Sequence, residues 1–206
     1  MDVWPMIRAE RESLAGALSD LPPDDWNRPS LAAGWTVRDV VAHIVATART
    51  TPPKFVAGLV TSGFSFGTFV EKRIRETAAG RTDRELAGDL FACAGSRAAP
   101  PGPTATWLGE TIVHGEDVFR ALGGYRDHPV HHVIAVADFY KTSNLLIGSK
   151  RRIEGLRLRA TDADWSHGTG PEVAGPAIAL VLAMTGRKTA LEDLTGEGVA
   201  ELRARD

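Results

Sequence analysis

Apolar residues recur at helical spacing through most of the first 150 positions. Ile7, Leu14, Ala17 and Leu18 line one side of residues 4–20, with Leu21 continuing the stripe and charges between, which predicts an opening amphipathic helix. Leu21-Pro22-Pro23-Asp24-Asp25-Trp26 stops it, and Asn27-Arg28-Pro29-Ser30 extends a structured loop. A second helix opens at Thr36. Thr36-Val37-Arg38-Asp39 has the form of a capping box, in which hydroxyl and carboxylate satisfy free amide donors. Val37, Val40, Val41 and Ile44 then make an apolar face, with His43 at its edge.

Pro52-Pro53 interrupts or restarts that helix. A Gly/Phe-rich passage, Gly63 to Phe69, leads into a helix through Glu71 to Ala79, and another follows over about 82–97. After the loop Ala99-Pro100-Pro101-Gly102-Pro103, Thr104 is the expected cap of a helix that ends at Gly123-Gly124. A last long helix is expected from Val130 to Ile147. Five or six helices on short polar or proline-rich loops predict a mainly α fold, an antiparallel four-helix-type bundle with extra helices. Beyond Gly148-Ser149-Lys150-Arg151-Arg152 the pattern changes. Leu156 to Ala160 alternates as a half-buried strand does, Asp162 to Gly170 is turn chemistry, and Glu172-Val173 reads as a second short strand. Gly175-Pro176 opens a small helix to Thr185, stopped by Gly186, and Val199 to Leu202 is expected to return as a strand. The expected division is therefore a bundle over 1–148 and a small α+β unit over 149–206. So short a tail buries too little alone and is expected to pack on the bundle.

Length, composition and charge narrow the functional classes. The 206 residues are 43% hydrophobic and 24% charged, as in ordinary soluble proteins. A net charge of −2 gives no sign of a basic surface for nucleic acid or anionic lipid. Ala177 to Met184, the longest apolar run, is far too short to span a bilayer, and the N-terminus does not read as a signal peptide. A single cysteine, Cys93, excludes an internal disulfide and suits a reducing cytosol, so a cytoplasmic location is expected.

The residues that carry chemistry are few. Glu110 and His114 stand four apart on one predicted helix, about 40° apart around its axis and one turn along it. An imidazole from His43 on a facing helix would complete a His₂Glu set with open positions, the ligand count of a catalytic metal. An ordinary surface pair and a structural histidine are the competing readings of the same residues. Asp39 reads as a cap before an orienting partner for His43, and Asp117 as a solvated acid before a substrate-binding one. His128, His131 and His132 flank Pro129 at a helix start and suggest a second metal site only weakly, since adjacent residues diverge on a helix. His167 reads as a loop histidine beside Trp165. Cys93, between Phe91-Ala92 and Ala94-Gly95, reads as a buried inert thiol. No nucleophile elbow or phosphate loop is present, so a nucleophile would come from outside the chain.

The segment Trp26…Leu31-Ala32-Ala33-Gly34-Trp35-Thr36-Val37-Arg38-Asp39-Val40-Val41-Ala42-His43 resembles the second-helix motif of the mycothiol-dependent maleylpyruvate isomerase family, a group of DinB-like metal-binding bundles. Glu110-Thr111-Ile112-Val113-His114-Gly115-Glu116-Asp117 resembles its later Glu-x-x-x-His motif. The stretch from Thr161 through Trp165 and His167 to Gly170, with Gly175-Pro176 and Thr185-Gly186-Arg187, resembles the group's small C-terminal domain. The resemblance implies a divalent metal, zinc first and nickel or another ion in vitro, held by His43, Glu110 and His114 with waters. It further implies mycothiol or a similar thiol as cosubstrate and a small electrophilic substrate. The expected chemistry is maleylpyruvate-type cis–trans isomerisation or thiol S-transfer, with Arg187 and Arg38 the arginines to examine for a dicarboxylate. The rivals are a metal-dependent hydrolase on the same site and a non-catalytic module in which metal is a staple. A homodimer through an exposed bundle face is compatible with the sequence, which does not decide it.

Overall fold

The computed structural model describes residues 2–205 and divides into two compact units, Met1–Arg126 and Asp127–Asp206. Among the described residues the regular elements of the first unit are all helices, with one isolated bridge between Pro29 and Thr36. α1 (Trp4–Ser19) starts with Pro5 in its first turn and buries Ile7, Leu14 and Leu18, together with two charged side chains, Glu10 and Arg11. A 3₁₀ turn at Pro23–Asn27 buries Trp26. α2 (Val37–Ala48) opens on the expected capping box: Thr36 Oγ1 accepts from Asp39 N at 3.2 Å, and Asp39 Oδ2 accepts from Thr36 N at 2.9 Å. Val37, Val40, Val41, Ile44, Val45 and Ala48 are all buried, so α2 runs through the core and packs against α1's neighbours on several sides.

Pro52-Pro53 restarts the chain as a separate helix, α3 (Pro52–Thr61), of which no residue is buried. α4 (Phe66–Ala78) is capped by Ser65 and buries Phe69, Val70 and Ile74. α5 (Asp83–Ala92) opens on a second capping box, Thr82 with Glu85. α6 (Thr104–Ala121) is the long helix carrying Glu110 and His114; Pro103, not Thr104, stands at its cap position, and no side chain caps it. α2 packs on α4, α5 and α6, and α1 on α5 and α6, which is the bundle arrangement expected from the helical periodicity.

The second unit holds α7 (Val130–Tyr140), the single turn α8 (Ser149–Arg152), β1 (Arg157–Ala160), β2 (Ser166–His167), β3 (Glu172–Gly175), α9 (Ala177–Met184) and α10 (Gly198–Ala204). Its sheet has the order β2-β1-β3, with β1 antiparallel to β2 and parallel to β3. α9 is buried along nearly its whole length and needs cover on several sides. β1 and β3 supply part of it, and α7 supplies more through its face of Val133, Val136 and Ala137. The compact division thus falls at 126/127, ahead of α7, whereas the compositional change lies at 148/149.

Three local expectations are corrected. α7 ends at Tyr140 and does not reach Ile147, because Ser143 and Asn144 side chains accept from the backbone amides of Leu145 (3.1 Å) and Arg151 (2.9 Å) in competition with helix. Val199–Leu202 lies in α10 and is not a strand; the outer edge of β3 is met by Thr195, paired with Ala174 through two 2.8 Å backbone hydrogen bonds. The helix expected over about 82–97 stops at Ala92. Among the described residues no helix is long and apolar enough to cross a membrane.

Candidate metal centre

All the principal site residues lie in the first unit. α2 supplies His43 one turn beyond its capping box, and α6 supplies Glu110 and His114 from successive turns. His43 Nε2 stands 3.8 Å from Glu110 Oε2, and the His43 and His114 rings meet edge to face with centroids 5.1 Å apart. Side chains separated by some seventy positions in sequence are thereby gathered at the α2–α6 contact. Each keeps a sliver of exposure: 15% for His43, 12% for Glu110 and 16% for His114.

The surroundings disfavour charge on Glu110 and on His43. Burial is the main reason that Glu110 is pushed up to about 8, against the opposing effects of the Arg11 charge and a hydrogen bond with Thr47. Burial, reinforced by the neighbouring His114, pulls His43 down to about 3. A carboxyl group and an imidazole that both prefer neutrality, facing one another in a recess, suit a divalent cation, which would compensate the carboxylate and accept the imidazole lone pair. The donor types therefore fit. Their arrangement is not closed: among the described residues no group of three or more His, Cys, Asp or Glu side chains is assembled so as to hold a metal ion.

Asp117 corrects the reading of a solvated acid. Its side chain is fully buried, and its Oδ2 lies 2.9 Å from His114 Nδ1. With a carboxylate acceptor there, Nδ1 carries the proton and Nε2 keeps the lone pair. The signal was present in the sequence: Asp117 follows His114 by three, a distance at which helical side chains meet. Asp39, in contrast, is spent on its cap, accepting from both the amide and the hydroxyl of Thr36.

Trp35 was visible only as part of a motif, and the structure gives it a place. Its indole packs against His43 at 4.9 Å and His114 at 5.7 Å between centroids. Arg11, an apparent solvent-facing charge of the first helix, is instead fully buried. Its Nη1 donates to the Ser96 carbonyl at 3.1 Å, while Nε and Nη2 have no partner among the described residues. Gly115, directly after His114, leaves room for Arg126: a Cβ there would stand 2.5 Å from Arg126 Nη1. Arg126 in turn donates to the Glu10 carbonyl and to Ser13 Oγ, and its backbone amide donates to Glu116.

The other candidates lie elsewhere. Arg38 pairs with Asp83 and donates to the carbonyls of Ala78 and Arg81, tying α2 to the turn before α5. Arg187 belongs to the second unit, where its Nη1 donates to the Thr185 carbonyl at 3.3 Å. His131 and His132 are in ring contact there at 4.4 Å, and His167 sits in β2, its pKa lowered first by burial and then by Lys141. Cys93 is buried, donates to the Leu90 carbonyl at 3.4 Å, and is pushed up chiefly by burial.

Comparison with known proteins shows the family and the fold. Residues 7–133 match the family described as the mycothiol maleylpyruvate isomerase N-terminal domain. Two uncharacterized proteins of Mycobacterium tuberculosis, from strains CDC 1551 / Oshkosh and ATCC 25618 / H37Rv, are each 29% identical over 145 residues. The match covers 58% of this chain and 56% of each relative, so the chain spans little more than half the length of these proteins. Crystal structures of the mycothiol-dependent maleylpyruvate isomerase and of a point mutant of it share the fold. Each has a TM-score of 0.62 at 16% identity and covers 94% of this chain and 91% of the other. The fold is accordingly the DinB-like helical bundle with a small α+β C-terminal part, and the chain belongs to the mycothiol maleylpyruvate isomerase N-terminal domain family.

Proposed function

We propose that the chain is a divalent-metal-dependent enzyme that uses a low-molecular-weight thiol, mycothiol or one like it, on a small electrophilic substrate. The observation that carries this reading is the convergence of His43, Glu110 and His114, with His43 Nε2 3.8 Å from Glu110 Oε2 and the two imidazoles in contact. Family membership supports the thiol, since the family and the solved relatives are named for mycothiol and maleylpyruvate.

In this reading His43, Glu110 and His114 hold the metal, zinc first. When bound, a divalent metal would acidify a thiol or water coordinated to it and so supply a nucleophile at neutral pH. The remaining work falls to the chain. Asp117 keeps the proton of His114 on Nδ1, leaving Nε2 as the donor. Glu110 brings the one carboxylate of the set, held by its hydrogen bond with Thr47. The recess shields the donors from bulk water, leaving each only slightly exposed. Cys93 takes no part, because its thiol is buried and held protonated. The reaction class is addition of a thiol to an activated double bond. It yields cis–trans isomerisation if the thiol departs after bond rotation, and thiol S-transfer if it stays.

The test is metal content per chain, on protein purified without a metal-affinity step, beside His43→Ala and His114→Ala. About one equivalent in the parent, lost in both variants with helical circular dichroism retained, is expected for a single His₂Glu site. A parent that neither contains nor takes up zinc overturns the reading. Turnover that needs no thiol would move the assignment to a hydrolase on the same residues.

A further inference from the structure

The two imidazoles of the candidate centre are held differently. His114 has a buried acceptor, Asp117, at 2.9 Å from Nδ1. His43 has no hydrogen bond at either ring nitrogen among the described residues; its Nε2 faces Glu110 at 3.8 Å, outside hydrogen-bond range. The nearest acid on its own helix, Asp39, is committed to the Thr36 cap. Metal-ligating histidines are normally fixed through the nitrogen that does not bind the ion. The His43 ring is therefore held by packing and not by a hydrogen bond to a ring nitrogen.

We propose that Trp35 is a positioning residue for the His43 imidazole, doing by ring packing what the Asp117 carboxylate does for His114. The inference rests on the metal reading above. One indole lies against two rings from two helices, at 4.9 Å and 48° for His43 and at 5.7 Å and 38° for His114. Both distances fall within the range in which aromatic rings attract and hold preferred tilts. Contact with the indole limits the rotation of the His43 imidazole about its terminal torsion, which is otherwise broad, while His114 is already held by Asp117.

A positioning residue must itself be fixed, and Trp35 is. Its carbonyl accepts from Ser30 N at 2.9 Å and from Ser30 Oγ at 2.8 Å, and its amide donates to the Ala32 carbonyl at 3.0 Å. Pro29 and Thr36 form an antiparallel bridge across the base of this loop. Gly34, at φ +82, takes the left-handed turn that brings Trp35 round, a conformation side-chain-bearing residues resist. The loop is also moored to α6, where Leu31 N donates to the carbonyl of Asp117 at 3.0 Å. Asp117 thus holds His114 with its side chain and the Trp35 loop with its backbone. The segment from Ser30 to Thr36 is a brace between the two helices that carry the candidate ligands.

The experiment compares Trp35→Leu, which removes the ring, with Trp35→Phe, which keeps one, and reads two quantities. The first is zinc affinity by competition with a chromophoric chelator, with helical circular dichroism as the control on folding. Trp35→Leu is expected to lose about tenfold or more, the size of effect seen for outer-shell partners, while Trp35→Phe stays within about threefold of the parent. The second is the ring-proton resonances of His43 and His114 in the metal-free chain, assigned through His43→Ala and His114→Ala. Indole ring current shifts both sets in the parent. In Trp35→Leu the His43 signals move towards free-imidazole positions and broaden, and those of His114 move without broadening. Parent-like zinc affinity in Trp35→Leu, or a His43 resonance that stays sharp there, overturns the proposal. If the parent binds no zinc, the metal reading fails, and the resonances alone decide whether Trp35 orders His43. If Trp35→Leu does not fold, Trp35→Met carries the same comparison.

Discussion

Asp117 accepts a hydrogen bond from Nδ1 of His114 at 2.9 Å, from a side chain with no exposure to solvent. The pair spans three residues on α6, so one helical turn builds both the donor and its support. The same residue's backbone carbonyl receives Leu31 N. Asp117 thereby ties the orientation of His114 to the loop that carries Trp35.

Asp117→Ala follows directly. The variant leaves His114 Nδ1 without its acceptor and frees the ring to rotate, so zinc affinity should fall by about 10- to 100-fold. Asp117→Asn keeps an acceptor oxygen without the charge and should lose less. Chelator competition on both variants checks the order; equal affinity in parent and Asp117→Ala would remove the carboxylate from the site.

Glu110 and His114 were legible as neighbours on one helix from their spacing, and the approach of His43 from α2 only through the motif. What surrounds them was less so. Asp117 stood at the right distance from His114, but a lone acid on a helix is usually solvated, and only the packing of α6 reveals its burial. Arg11 sits among charges in an amphipathic pattern, and nothing in that pattern says which charge turns inward. The seam ahead of α7 was hidden for a similar reason. Periodicity marks α7 as an amphipathic helix but does not say that its apolar face is spent on α9. At Val199–Leu202 four residues with apolar Val199 and Leu202 are too few to tell strand from helix, and the pairing of Thr195 with Ala174 had already used the sheet edge.

Acid should weaken the first unit through Asp89. Its carboxylate accepts from Arg49 Nη2 at 2.8 Å and faces Arg81 Nε at 3.2 Å, which holds its pKa below the usual aspartate value, the Arg49 hydrogen bond foremost. A depressed folded pKa contributes stability above the unfolded value, about 3.9, and loses it as pH falls through the folded value. Arg49 is 40% exposed, so solvent screening limits the contribution to about 0.5–1 kcal/mol at neutral pH. Urea denaturation of Asp89→Asn should show that deficit at pH 7 and none at pH 2. A deficit that persists undiminished in acid would exclude the ion pair as its source.

Gly168→Ala should damage the second unit while sparing the first. Gly168 has φ +81, and a Cβ there would stand 2.2 Å from the Leu156 carbonyl oxygen, a backbone atom with little freedom to retreat. It follows β2, whose His167 pairs with Leu158 of β1. The left-handed backbone alone costs about 1–2 kcal/mol for a side-chain-bearing residue, and the clash adds to that. Hydrogen exchange should accelerate in Arg157–Ala160 with α2 and α6 left as protected as in the parent. Unchanged protection of β1 would mean that the turn relaxes at no cost.

Cys93 should be silent towards thiol reagents in the folded chain. Its Sγ is buried and donates to the Leu90 carbonyl at 3.4 Å, and burial raises its pKa against the opposing charges of Arg11 and Arg49. The thiolate is the reactive form, and here it is both scarce and enclosed. Iodoacetamide at pH 8 should label the chain fully in denaturant and scarcely at all without it. Cys93→Ala should also retain whatever thiol-dependent turnover the parent shows, since the nucleophile of the proposed reaction comes from outside the chain. Rapid labelling of the folded protein, or loss of turnover in a folded Cys93→Ala, would return this side chain to the list of candidate nucleophiles.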